Sequence, residues 1–67
     1  MTDVTIWRLP VVIARTGVSR SSIYEKIAKN EFPEPINLGP RAVGWIAEEI
    51  LEWIQARIDA SRKAGSE

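Results

Sequence analysis

Gly17 lies between two short apolar segments, and no other residue constrains the fold of this chain as strongly. Residues 10–15 predict a first short helix, because a proline at the start of a helix is tolerated in the first turn, where its missing N–H would be unpaired anyway. Gly17 ends this helix, since glycine accepts the left-handed conformation that is common just after a helix. Ser19 is a good N-cap for a second helix from Arg20 to about Asn30. The sequence therefore predicts two short helices joined by a tight turn.

A small β-hairpin is predicted in the middle of the chain. The segment Phe32-Pro33-Glu34-Pro35 cannot be helical, because its two prolines remove backbone donors and favour extended neighbours. Residues 36–38 alternate as a short strand does, Gly39-Pro40-Arg41 has the chemistry of a turn, and residues 42–45 can return as the second strand. Gly44 weakens that second strand and indicates either a bulge or close packing.

A third and longer helix is predicted from Ala47 to Lys63, because isoleucines recur every four residues from position 50 to position 58. Residues 1–7 form an N-terminal arm that either stays extended or packs on the core. Residues 64–67 are expected to fray as a tail. The predicted fold is a single, mainly α domain over residues 1–67, with three helices and a small β-hairpin.

The composition excludes several classes of function. The chain has 67 residues with neither cysteine nor histidine, which excludes disulfides, zinc sites with these ligands, thiol nucleophiles and imidazole bases. Glu48, Glu49 and Glu52 cluster near the start of the third helix, where they complement the helix dipole and do not indicate acid–base catalysis. The sequence therefore predicts no enzyme activity, no catalytic residue, no metal and no cofactor. It also predicts no membrane span and no secretory leader, and hence a cytoplasmic protein.

The charges are balanced in number but separated along the chain. Nine basic and nine acidic residues give a formal net charge of zero. Residues 1–44 contain six basic and four acidic residues, whereas residues 45–67 contain three basic and five acidic ones. From Arg15 to Lys29 the ratio is four basic to one acidic. A positive surface is therefore expected on the first two helices.

Two short helices around a turn that contains glycine are typical of the helix–turn–helix, whose second helix is free to enter the major groove of DNA. Val12, Val18, Ile23 and Ile27 are predicted to hold the two helices together. At ~100° per residue, the last two fall on one side of the second helix. The other sides present hydroxyls, cations and an aromatic ring, which suit phosphates and base edges. The candidate DNA-binding residues of this region are Ser19, Arg20, Ser21, Ser22, Tyr24 and Lys29.

The same residues have a simpler interpretation, since serines at a helix start are often only caps and a basic helix face is usually just solvated. The hairpin favours DNA binding, because its tip projects Arg41 from a rigid turn, as a wing does along the backbone or minor groove. Trp45 and Trp53 are predicted to cover the space between hairpin and third helix. Trp7 is either a core residue or an exposed anchor for a partner.

The stretch from Arg8 to Ile54, about two-thirds of the chain, resembles the AlpA family of small phage and prophage regulators. That family is related to excisionases and to the winged-helix DNA-binding domain of MerR-type proteins. The segments that carry the resemblance are TGVSRSSIY (16–24), FPEP (32–35) and LGPRAVGW (38–45), followed by an acidic helix start and Trp53.

The resemblance implies a winged helix–turn–helix that binds double-stranded DNA near prophage or genomic-island attachment sites, in bacteria or their phages. It implies activation of an integrase gene or directional control of excision. By the same resemblance, residues 19–22 and Tyr24 fall on the recognition helix and Arg41 on the wing. Glu25 departs from the family, whose members often have a basic residue there. A carboxylate repels phosphate but can accept a hydrogen bond from cytosine.

Three further interpretations stay open. A single module of this kind buries only ~600–1,000 Å² on DNA, so high specificity would need further copies of the chain on repeated sites. The domain could instead be an adaptor that binds an integrase or a polymerase through its third helix and Trp7. It could also be an antitoxin-type repressor.

Overall fold

The computed structural model describes residues 3–65, which form three helices and a small antiparallel sheet. The predicted class is confirmed, because the protein is mainly α with a β-hairpin and is compatible with a winged helix–turn–helix. Among residues 3–65, none of the helices has the length and apolarity needed to cross a membrane. The elements are β1 (Ile6–Trp7), α1 (Leu9–Thr16), α2 (Arg20–Ala28), β2 (Ile36–Gly39), β3 (Ala42–Ile46) and α3 (Ala47–Gly65).

Helix α1 is one residue longer at each end than the predicted range 10–15. It begins on the carbonyl of Arg8, which accepts hydrogen bonds from the N–H groups of Val11 and Val12, both at 3.0 Å. It ends at Gly17, which has a φ of 74° and whose N–H donates to the carbonyl of Ile13 at 2.8 Å. The predicted left-handed glycine is therefore confirmed.

Helix α2 ends at Ala28, two residues earlier than predicted, and Lys29 is its C-cap. Asn30, the predicted last residue, has a φ of 59° and so lies outside the helix. The N–H of Glu31 donates back to the carbonyl of Lys26 at 2.7 Å. Asparagine tolerates the left-handed region better than most residues. The chain therefore leaves the helix here and leads into the proline segment before β2.

The sheet has the strand order β1-β3-β2, so the hairpin is completed by the N-terminal segment. Ile6 pairs with Ile46 and Trp7 with Trp45, and the Thr5 carbonyl accepts a hydrogen bond from Ala47 N–H at 2.8 Å. The N-terminal arm was predicted either to stay extended or to pack on the core, and its described part lies against the body of the protein. Residues 1–2 lie outside the described range.

The two hairpin strands each extend one residue further than predicted, and the irregularity falls in β2, not at Gly44. The register shifts between Asn37 and Gly39, where one extra residue of β2 faces β3. Gly44 instead accommodates close packing, because a Cβ there would lie 2.5 Å from Ile6 Cγ2 and 3.0 Å from Leu38 Cδ1. The outer strands thus meet across the central one, and the close-packing option for Gly44 is the correct one.

The hydrophobic core lies between the two short helices, the sheet and the start of α3. The predicted core positions Val12, Ile23 and Trp45 are fully buried, and Val18 and Ile27 are half-buried against them. The Trp45 ring N–H donates to the carbonyl of Pro33 at 3.0 Å. The buried members of the core are Val12, Ile23, Phe32, Trp45 and Ile50.

The other two tryptophans are half-buried against the core. Trp53 donates its ring N–H to the carbonyl of Glu31 at 2.8 Å and packs edge-on against Phe32, with ring centroids 4.8 Å apart. Trp7 lies in β1, and the guanidinium carbon of Arg15 is 5.1 Å from its ring centroid. Trp7 therefore does not present a free ring to a partner.

Helix α3 continues to Gly65, two residues beyond the predicted end. Residues 66–67 of the predicted tail lie outside the described range, and the fraying of 64–67 stays a prediction. Glu48 and Glu49 lie in the first turn of α3, and Arg62 and Lys63 lie in its last turn. This arrangement matches the dipole complement expected from the sequence.

We expect Gly44→Ala to lower the free energy of unfolding by about 1–3 kcal/mol, because the added methyl must displace the Ile6 and Leu38 side chains. Gly39→Ala is the matched control, since nothing lies within 4 Å of a Cβ at that position. Urea titration followed by circular dichroism measures both variants. Equal losses in the two variants would contradict close packing on Gly44.

Candidate nucleic-acid interface

The turn between α1 and α2 is fixed by hydrogen bonds and by aliphatic side chains. The Thr16 hydroxyl donates to the Val12 carbonyl at 2.7 Å and accepts from the Val18 N–H at 3.2 Å. Val12 and Ile23 are both 0% exposed, so one side of α2 is held against α1 and the sheet. The opposite side of α2 therefore faces solvent in a fixed orientation.

The structure places the predicted DNA-binding residues at three positions on the surface. Five of them lie at or after the start of α2, one at its end, and one in the turn between β2 and β3. Ser22 is half-buried and the other six are exposed. The residues are Ser19, Arg20, Ser21, Ser22 and Tyr24 at the first position, Lys29 at the second and Arg41 at the third.

Arg20 and Tyr24 form a contiguous pair on the exposed side of α2. The Arg20 guanidinium carbon lies 5.9 Å from the Tyr24 ring centroid, within the range of a cation–π contact. The Tyr24 ring is 40% exposed and packs edge-on against buried Trp45, with centroids 6.5 Å apart. The core thus limits the positions that the Tyr24 ring can take, and Tyr24 in turn positions Arg20.

The serines divide into two groups. Ser19 is the N-cap of α2, and its Oγ accepts the Ser22 N–H at 3.3 Å. The Ser19 hydroxyl also donates to Ser22 Oγ at 3.1 Å. The capping interpretation therefore holds for these two residues. Ser21 is exposed and lies outside this pair.

The start of α2 is electrostatically suited to an anion. Its first turn contains no acidic residue, so the positive end of the helix dipole is not neutralised from within. Backbone N–H groups at a helix start can also bind phosphate directly. Glu25 is exposed one turn further along, four residues after Ser21. The anion-binding character is therefore concentrated at residues 19–21.

Lys29 and Arg41 do not belong to the same cluster. Lys29 caps the far end of α2, about 13 Å along the axis from the first turn at 1.5 Å per residue. Arg41 is exposed in the tight turn after β2, next to an Asn37 side chain whose Oδ1 accepts the Gly39 N–H at 3.1 Å. The structure thus brings together Arg20, Ser21 and Tyr24, and leaves the other two cations on separate elements.

The fold brings together a second set of cations that the sequence pattern does not indicate. Lys26 on α2 and Arg57 and Arg62 on α3 line one groove beside the helix–turn–helix turn. Arg57 lies over the Trp53 ring, 5.8 Å from its centroid. The two arginines were visible as the basic end of the third helix. Their proximity to Lys26 depends on the packing of α3 against the first two helices, which the sequence pattern does not specify.

Comparison with known proteins gives consistent matches across the described elements. The family model described as Prophage CP4-57 regulatory protein (AlpA) matches residues 5–58. The chain is 47% identical over 58 residues to the uncharacterized protein ORF88 of Enterobacteria phage P4, covering 87% of this chain and 65% of that protein. It is 42% identical over 60 residues to the DNA-binding transcriptional activator AlpA of Escherichia coli (strain K12), covering 81% of this chain and 86% of that protein. The chain thus spans just under two thirds of the length of the phage relative. The family model and the two relatives confirm the resemblance to the AlpA family that was predicted from the sequence.

We expect Ser19→Ala to lower the free energy of unfolding by about 1 kcal/mol, because it removes the cap of α2. Ser21→Ala is the matched control, since it removes an exposed hydroxyl two residues away and should change stability by less than about 0.5 kcal/mol. Thermal and urea unfolding of both variants test this division. A larger loss for Ser21→Ala than for Ser19→Ala would show that the cap is assigned to the wrong serine.

Proposed function

Because the chain belongs to the AlpA family of phage regulators, we propose that it binds double-stranded DNA and regulates transcription. The observation that carries this proposal is the exposed start of α2. There Arg20, Ser21 and Tyr24 stand beside an un-neutralised helix start, on a helix whose other side is fixed in the core. A similar protein from Escherichia coli bears the name of a DNA-binding transcriptional activator.

In the proposed complex α2 enters the major groove with its first turns toward the bases. Arg20 contacts either a phosphate or the O6 and N7 acceptors of guanine. The Tyr24 hydroxyl contacts a phosphate, and its ring packs on a thymine methyl group. Ser19 acts mainly by fixing the helix start, where free N–H groups meet a phosphate. Ser21 supplies a small hydroxyl that hydrogen-bonds a base edge or a phosphate.

The hairpin supplies the second contact in this proposal. Arg41 lies in the turn between β2 and β3 and contacts the DNA backbone or the minor groove, as a wing does. Tyr24 packs against Trp45 of β3, so the recognition helix and the wing are joined through one buried ring. The register of α2 in the groove is therefore coupled to the position of the wing.

Glu25 adds a specificity element to the proposed interface. Its exposed carboxylate repels phosphates and can accept a hydrogen bond from the N4 amino group of a cytosine. We therefore place Glu25 over a base pair and not over the backbone.

The biological role that follows is regulation of a prophage or a genomic island, by activating an integrase gene or by directing excision. Such a role places the protein in the bacterial cytoplasm, with the DNA and an integrase as partners. The adaptor alternative needs Trp7 as an exposed anchor, and the half-buried position of Trp7 beneath Arg15 does not favour it. Nothing in the geometry favours an antitoxin.

We expect Arg20→Ala to weaken binding to DNA from upstream of the protein's own gene cluster by about 5- to 150-fold, because a good arginine–base contact contributes about 1–3 kcal/mol. Lys63→Ala is the matched control, since it removes an exposed cation that the proposed complex does not use. Gel shifts measure both variants, and circular dichroism checks their folding. Unchanged binding by a folded Arg20→Ala variant would favour the adaptor function over DNA readout.

We expect the logarithm of the single-site affinity to fall against the logarithm of salt concentration with a slope of about −3 to −4, from about four phosphate contacts. Arg41→Ala should weaken binding to all sequences alike and make the slope less steep by about 1. Fluorescence anisotropy on a short duplex measures both slopes. An unchanged slope in Arg41→Ala would remove the wing from the interface. Nanomolar binding of one copy to one isolated site in physiological salt would remove the need for further copies.

A further inference from the structure

A shallow acidic groove lies beside the proline segment, away from the start of α2. It runs between the loop before β2 and the first turns of α3, and it contains apolar surface from Ile36, which is 38% exposed. Four exposed carboxylates surround it, and its lining contains no cation. These carboxylates belong to Glu31, Glu34, Glu49 and Glu52.

The far end of α3 has the opposite charge to the groove. Residues 59–63 are all exposed, and two of them, Ser61 and Arg62, also line the groove beside the helix–turn–helix turn. Over residues 57–63 there are three cations, Arg57, Arg62 and Lys63, against the single carboxylate of Asp59. Among residues 57–63 only Ile58 is half-buried, so the charged side chains around it face solvent. We refer to residues 57–63 as the basic end of α3.

We propose that the basic end of α3 of one copy docks into the acidic groove of a second copy. The two surfaces are complementary in charge, since three cations on one meet four carboxylates on the other. Within one chain Arg57 reaches only Trp53 at the edge of the groove, and Arg62 lies about 20 Å along the helix from Glu49, so the last turn of α3 cannot enter the groove of its own chain. A second copy can meet both.

The difference between the two contacting surfaces determines how the copies assemble. Because the two surfaces are different, the contact is heterologous and repeats head to tail, unlike a two-fold symmetric dimer. A helix end in a shallow groove buries less than a standard interface, so the contact is weak between free copies. It becomes effective when neighbouring sites on one DNA molecule hold the copies at about millimolar effective concentration. Head-to-tail copies require sites repeated in the same direction.

Self-association without DNA tests the contact independently of the proposed DNA binding. The groove variant is Glu34→Lys with Glu52→Lys, and the end variant is Arg57→Glu with Arg62→Glu. Sedimentation equilibrium at low salt should show association of the unmodified protein and loss of it in each variant alone. An equal mixture of the two variants should associate again, because each reversed surface then meets a surface of opposite charge. Association in the mixture also shows that both variants are folded.

The matched control is Glu48→Lys, which reverses an exposed carboxylate of α3 outside the groove and should leave the association unchanged. A mixture that stays monomeric, or variants that associate as the unmodified protein does, would overturn the proposal. The proposal would also be overturned if the Glu48→Lys control lost as much association as the groove variant. The effect would then come from the overall charge of the protein and not from the groove.

Binding to DNA gives the second test and rests on the proposed function. The unmodified protein should bind two direct repeats about tenfold more tightly than independent sites predict, and inverted repeats should give no such gain. Both variants should lose the gain, and the groove variant should keep its single-site affinity within about threefold. If the end variant loses single-site affinity and the mixture fails to associate, the basic end contacts DNA and the proposal is wrong. If no DNA binding occurs while the mixture still associates, the proposed function fails and the contact between copies stands.

Discussion

The shared burial of Val12 and Ile23 in one core cluster, on either side of the Gly17 turn, is the interaction on which the rest of the structure depends. Both side chains are fully buried, and complete burial of an aliphatic side chain of this size contributes about 1.5–3 kcal/mol. In a chain of 67 residues, with a small core, such contributions are a large part of the total stability. This burial also decides which side of α2 faces solvent, so stability and the candidate interface share one origin.

Trp45 connects this cluster to the hairpin. Its ring is buried, donates to the Pro33 carbonyl at 3.0 Å, and supports Tyr24 on the exposed face of α2. The proline segment, β3 and α2 are therefore held by a single side chain. The N-terminal strand β1 completes the sheet beside β3, which places Trp7 under Arg15 and leaves Gly44 no room for a side chain.

A net charge of zero conceals a strong separation of charge in three dimensions. The start of α2 and the hairpin turn present cations, the groove beside the proline segment presents carboxylates, and the exposed end of α3 is basic again. Net charge governs solubility and long-range attraction, whereas local patches govern which surfaces meet. The proposed DNA contact and the proposed contact between copies use different patches, so one chain can support both.

The sequence by itself determined the local elements: a left-handed Gly17, a Ser19 cap, a proline break, a turn at Arg41 and an amphipathic third helix. These follow from backbone sterics and side-chain periodicity within a few residues, which is why their positions were predicted to within one or two residues. Only the tertiary structure decided that Ile6–Trp7 joins the sheet, that Gly44 is closely packed, and that Lys26 lies near Arg57. Each of these depends on contacts between segments far apart in the chain, whose geometry is set by packing and leaves no periodic pattern in the sequence.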